Sequence, residues 1–238
     1  SFGAIPTRAR GVEICEHLPQ VADVADRLAI VRSITTKEGN HQRARYLGHT
    51  GYAPTPTVSH PSLGAWVSSL RPEGELPSFI SIAGPSVGAG FLGPAHGPFV
   101  LRQPGSLPDN VALGFGVDAA RFGRRNQALG FLEQRFATAT GDGSVAARGQ
   151  VYARARRMMA SPLLSAFDVS GEPEAVRSAY GDSDFGRGCL VARRLVEARV
   201  PVVEVRLAGW DAHRDNFGRT RSVMRQRGPG AAPLGRAS

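Results

Sequence analysis

At 238 residues and 25.2 kDa, with 42% hydrophobic and 21% charged residues, the chain has the composition of a globular protein able to bury one proper core, not that of a disordered one. No stretch approaches the roughly 18 uninterrupted apolar residues of a membrane span, so no span is expected. Although the net charge is +9, six arginines against one acid from Arg214 onward supply +5 of it, and Lys37 is the sole lysine among 29 basic residues, so no nucleic acid partner is expected.

In chain order, "EHLPQVADVADRLAIVRSI" spaces Leu18, Val21, Val24 or Ala25, and Leu28 as a helix and then runs apolar to Ile34, which predicts a helix entering a buried strand. In "TTKEGNHQRARYLGHTGYAP", Gly39 and Asn40 signal a helix start, and Gly51 and Pro54 its end. "HPSLGAWVSSLRP" predicts a short helix beginning near Pro61 and stopped by Pro72, and "SFISIAG" a strand. Residues 84–117 are rich in Gly and Pro and predict loop, with a short strand around Phe99–Leu101. From Asp118 to about Ala160 the pattern is helical, broken at "TGDGS", and "EPEAVRSAYG" adds another short helix.

"DFGRGCLVARRLVEARV" sets Phe185, Cys189, Ala192 and Leu195 or Val196 on one helical face, with Arg187, Arg194 and Glu197 opposite. "VPVVEVRLAG" then alternates Val203, Val205 and Leu207 with Glu204 and Arg206 and predicts a strand. Helix followed by strand, twice, points to an α/β sheet with helices packed on it, in which ligands sit beyond the carboxyl ends of the strands.

Two apparent motifs lack their required context. "GAGFLG" matches GxGxxG, but Pro94 follows it and no amphipathic helix opens there; "SDFG" has no accompanying HRD segment or strand lysine. Cys15 and Cys189 form no CxxC arrangement, so neither a disulfide framework nor a cysteine zinc site is suggested. "GWDAHRDNF" closes the last strand and puts Asp211, His213 and Asp215 at alternate positions, where an extended segment would point all three the same way. Such carboxylates and imidazole suit zinc or manganese. Alternatively, Asp211 or Asp215 caps the helix implied by "NFGRTRSVM". In "EGNHQRARY", a helix capped by Asn40 would offer its N-terminus to an anion, with Arg43 and Arg45 adding charge and His41 at the mouth; a solvated basic helix face is the alternative. His17, His49, His60 and His96 stand singly and read as loop or capping residues.

Seven ordered segments, "GVEICEHLP", "RLAIVRSITTKEGNHQRARYLGHTGYAP", "HPSLGAWVSSL", "GFLGPAHGPFVL", "LSAFDVSGEPEAVRSAYG", "FGRGCLVARRLVEARVPVVEV" and "GWDAHRDNF", resemble the bacterial family known as domain of unknown function 1501, over residues 1 to about 224. That family is similar to the alkaline phosphatase and sulfatase superfamily. The resemblance implies a three-layer α/β/α core that binds a divalent metal, zinc or manganese, at its strand ends and acts on a small anionic ester of phosphate or sulfate. It makes Asp211 and His213 metal ligands. Sulfatases place their nucleophile nine residues before a Thr-Gly pair, and the same count back from Thr50–Gly51 reaches His41. Since those enzymes use Cys, Ser or Thr there, His41 is either an unusual catalytic nucleophile or, with Asn40, Arg43 and Arg45, a contact for the anion.

The start at Ser1–Phe2 and the lack of the family's Gly-Gly-Pro-Ser-His opening and its Gly-Glu-Phe-Gly-Arg-Thr and Gly-Arg-Asp-His-Trp closing segments lead to the expectation of an incomplete α/β domain over 1–224. "RQRGPGAAPLGRAS", residues 225–238, is then a disordered or aberrant tail. Such a fragment would hold only part of the metal site and be inactive, and a non-catalytic binding or structural protein that retains the fold is the alternative. The family further implies export or a periplasmic location.

Overall fold

The structure, a computed structural model, describes residues 2–140, 144–210 and 213–225. It is a mixed α/β fold. A hairpin of β1 (Ala4–Pro6) and β2 (Glu13–Cys15) opens the chain, followed by the single turn α1 (Pro19–Ala22) and a 3-10 turn at Ala25–Arg27. Next come α2 (His41–Thr50), α3 (Leu63–Leu70), β3 (Phe79–Ile82) and β4 (Phe99–Leu101). Two long helices, α4 (Ala119–Thr140) and α5 (Ser144–Ala160), precede α6 (Glu174–Tyr180), α7 (Asp184–Glu197), β5 (Val202–Val205) and α8 (Asn216–Arg225).

The central sheet is parallel, in the order β4-β3-β5, with Ile80 opposite both Phe99 and Val203, and Ser81 opposite Glu204. All four residues of β3 are buried, as expected of a strand covered on both faces. Side chains alternate along a strand, and the two faces receive different helices. On one face α3 approaches so closely that a Cβ on Gly64 would lie 2.6 Å from the Phe79 ring. On the other, a Cβ on Gly188 of α7 would lie 3.0 Å from Val205 and 3.2 Å from Ile82. The main core lies under α7, where Ile80, Ile82, Phe167, Leu190, Val191 and Leu195 are almost fully buried.

Local signals act where they stand. Ser62 caps α3 by accepting from the Ala65 N–H at 3.3 Å, and Gly51 ends α2 in the left-handed region, its N–H bonded to the Leu47 carbonyl. The short strand at Phe99–Leu101 and the helices on either side of "TGDGS" are found where the sequence predicts them, residues 141–143 lying outside the described part.

Two expectations are corrected. The predicted buried strand ending at Ile34 is not one: the preceding helix shrinks to α1 and a 3-10 turn, and Leu28, Ile30, Val31 and Ile34 are exposed in a segment without regular structure. An apolar run becomes a strand only if its N–H and C=O groups find a neighbouring strand, and among the described residues none pairs with it. The apolar face of α7 is also rotated. Gly188, Val191, Ala192 and Leu195 are buried, whereas Val196 is exposed and Phe185 and Cys189 are half-buried, because Gly188 lets its side of the helix approach β3 and β5 most closely.

Glu172 ties this layer together. Its carboxylate, largely shielded from solvent, accepts from Arg193 at 2.7 Å and also from Arg194, whose guanidinium donates to the Ser165 and Ala166 carbonyls as well. Burial pushes the carboxyl upward, but hydrogen bonds and charge from the two arginines outweigh it and hold its pKa below the ordinary value. A carboxyl depressed in the folded state contributes stability that is present above its unfolded pKa and lost as pH falls through the folded value. Glu172→Gln should therefore lower stability at neutral pH by roughly 1–3 kcal/mol and flatten the acid limb of a denaturation profile below about pH 4.5. An unchanged acid limb in the variant would mean the triad contributes nothing.

Candidate functional site

The carboxyl ends of β3 and β5 open onto one rim. After Ile82 the chain leaves β3 sharply, with Ala83 at φ 62° and Gly84 at φ 154°, and the Ser81 hydroxyl donates to the Gly84 carbonyl at 2.6 Å. A left-handed conformation at an alanine is uncommon, and such strain concentrates at binding sites. Arg206, just beyond β5, packs over Gly84, where a Cβ would meet its Cδ at 3.0 Å.

Helix α2 crosses this rim without burying any residue, so polar side chains hold it there. Arg45 donates to the Pro85 carbonyl, the Tyr46 hydroxyl accepts from the His60 N–H at 2.5 Å, and His49 Nε2 stands 3.3 Å from Glu204 Oε1. Glu204 Oε2 accepts from the Ser86 hydroxyl, so one carboxylate clamps the last turn of α2 to the loop after β3. Glu204, Ser86 and His49 were not legible as a group in the sequence, although an acid inside the otherwise apolar "VPVVEV" was the available signal.

Asn40 caps α2, its side-chain oxygen accepting from the Gln42 and Arg43 N–H groups at 3.0 and 3.2 Å. That cap occupies N–H groups an anion would otherwise meet. Arg43 lies in a bidentate pair with Glu38 at 2.7 and 2.8 Å, and its hydrogen bonds hold the Glu38 carboxyl below the ordinary range. Arg45, as described, is engaged with the backbone of the rim. Asp215 turns onto its own helix, its carboxylate accepting from the Gly218 N–H at 3.3 Å, which is the capping role for that member of the Asp-His-Asp series. Asp211 lies outside the described residues.

His41 and His213 come together: their ring centroids are 5.9 Å apart, with the planes at 73°. Among the described residues, no group of three or more His, Cys, Asp or Glu is placed to hold a metal.

An apolar cavity of about 300 Å³ lies at the other end of the sheet, lined by Pro77, Phe99, Val111, Val151, Met158 and Arg154 among others. There the Arg154 guanidinium is bonded to the Ala95 and Gly97 carbonyls at 2.5 and 3.0 Å, and burial lowers its pKa. It gathers no histidine and is not the site of the predicted chemistry.

A helix-covered parallel sheet with an ionisable rim at its strand ends defines a mixed α/β protein. The chain belongs to the DUF1501 family of proteins of unknown function, whose model matches residues 1–236 and so extends past residue 224 into the segment the sequence predicts to be a tail outside the domain. No curated protein and no solved structure matches it. Among the described residues no helix is long and apolar enough to cross a membrane.

Proposed function

We propose that this chain belongs to a metal-dependent hydrolase of small phosphate or sulfate esters, built on a three-layer core like that of alkaline phosphatases and sulfatases. The observation that carries the reading is the meeting of His41, at the start of α2, with His213, in the segment that follows β5. His213 and Asp211 would hold a divalent ion, zinc or manganese. Such an ion supplies a Lewis acid for the ester oxygen and a site that acidifies bound water. His41, at the first position of α2, faces the anionic group of the ester, and Asn40 fixes it there by capping the helix that carries it. Arg45 and the clamp of Glu204 on His49 and Ser86 orient α2 across the rim.

A binding protein without turnover is the second reading. It is favoured by the engagement of the two arginines nearest the mouth, Arg43 with Glu38 and Arg45 with Pro85, which leaves less charge directed at a reacting ester. Nitrophenyl phosphate and nitrophenyl sulfate, offered to the full-length gene product with added zinc or manganese, separate the two. Metal-dependent release of nitrophenolate that falls at least a hundredfold in His41→Ala is expected of the hydrolase. Metal bound without turnover of either ester would leave the binding reading.

A further inference from the structure

Helix α4 is 22 residues long, about 33 Å at 1.5 Å per residue, and packs against α5 alone among the long helices. Its inward side is marked by the half-buried Phe122, Asn126, Glu133 and Ala137. At 100° per residue, these four fall within one narrow arc of the helix. Phe131 and Leu132 lie on the outward half and Leu129 and Phe136 on the flank beside the inward arc, and Phe131, Leu132 and Phe136 are each more than half exposed. The helix also carries Arg121, Arg124, Arg125 and Arg135, all exposed, and the Arg135 guanidinium sits 5.8 Å from the Phe131 ring centre. The helix's one acid, Glu133, falls in the half-buried inward arc, so the exposed surface of α4 carries large apolar groups and four positive charges without an exposed acid.

We propose that this outward face of α4 docks on an anionic lipid surface, lying in the plane of the interface without crossing it. Leu129, Leu132 and Phe136 recur at helical spacing as a stripe that can enter the boundary between headgroups and acyl chains, while the arginines reach the lipid phosphates on flexible apolar stems. Charge complementarity selects this occupant. A second copy would bring four like charges against four, and α5 adds the exposed Arg148 and Arg156 to the same hairpin. A nucleic acid would satisfy the arginines but leave the Leu and Phe side chains facing water. An anionic leaflet satisfies both.

The test is co-sedimentation of the full-length protein with vesicles of phosphatidylglycerol and phosphatidylcholine in equal parts, beside vesicles of phosphatidylcholine alone. Binding to the first should exceed binding to the second at least tenfold and weaken on going from low to high salt, since each arginine near an anionic surface contributes about 1 kcal/mol that salt screens. Arg125→Gln with Arg135→Gln should lower the partition roughly 25-fold. Leu132→Ser with Phe136→Ser should lower it tenfold or more. Both pairs are exposed, so unchanged circular dichroism is expected. Equal binding to both vesicle types, or to neither, would overturn the proposal. So would variants that bind as the unaltered protein does, a concentration-dependent dimer abolished by the serine pair without vesicle binding, or preferential binding to DNA that survives it.

Discussion

His213→Ala and Asp211→Ala should each weaken binding of zinc or manganese to the full-length gene product by tenfold or more, about 1.4 kcal/mol apiece. Loss of a ligand that touches the ion removes at least as much as loss of its outer support, for which factors of about 10–100 are usual. His41→Ala should behave like His213→Ala if the two rings, 5.9 Å apart, share one ion, and should leave the metal in place if His41 only faces the ester. Competition against a chromophoric chelator reads the affinities directly. Should the Asp211 and His213 variants keep their full metal content by elemental analysis, "GWDAHRDNF" is a capped turn and the hydrolase reading falls with it. Asp215 is the internal control: its carboxylate caps α8, so Asp215→Ala should cost about 1 kcal/mol of stability and no metal affinity.

Phe167→Ala should destabilise the fold by about 3–5 kcal/mol. Phe167 is completely buried, meets Phe99 edge-on at 6.0 Å, and belongs to the cluster that joins the sheet to α7. Its neighbours Ile80, Leu190 and Leu195 sit on regular elements that cannot collapse far into the void, so the lost contacts and the cavity both count. Chemical denaturation followed by far-UV circular dichroism gives the number. A loss below about 1 kcal/mol would show that this residue is not where α7 and the sheet meet.

The site was legible in its parts but not in its assembly. His41, Asn40 and His213 were each marked by local pattern, the first two by a helix start and the third by its place after a strand. What no local pattern carries is that a ring at the start of α2 faces one beyond β5, or that His49 reaches across 155 residues to Glu204. His49 looks like an isolated histidine in the last turn of a helix until α2 is laid across the rim. The electrostatics at the mouth were equally invisible. Arg43 and Arg45 read as charge for an anion, but a pairing with Glu38 and a bond to the Pro85 carbonyl redirect them.

Elements whose causes lie within a few residues follow from the chain alone. The caps at Asn40 and Ser62, the stop at Gly51 and the β-branched run ending at Val205 need only neighbouring backbone and side chains to act. Where a neighbour distant in sequence is required, the chain alone misleads. Residues 28–34 have the composition of a buried strand and lie exposed, because β pairing takes its hydrogen bonds from another segment. The face of α7 is set by Gly188, which admits Val205 and Ile82 and carries no apolar weight in a periodicity. Periodicity counts hydrophobic side chains, whereas packing is decided by which surfaces can approach most closely, and that quantity exists only between elements already brought together.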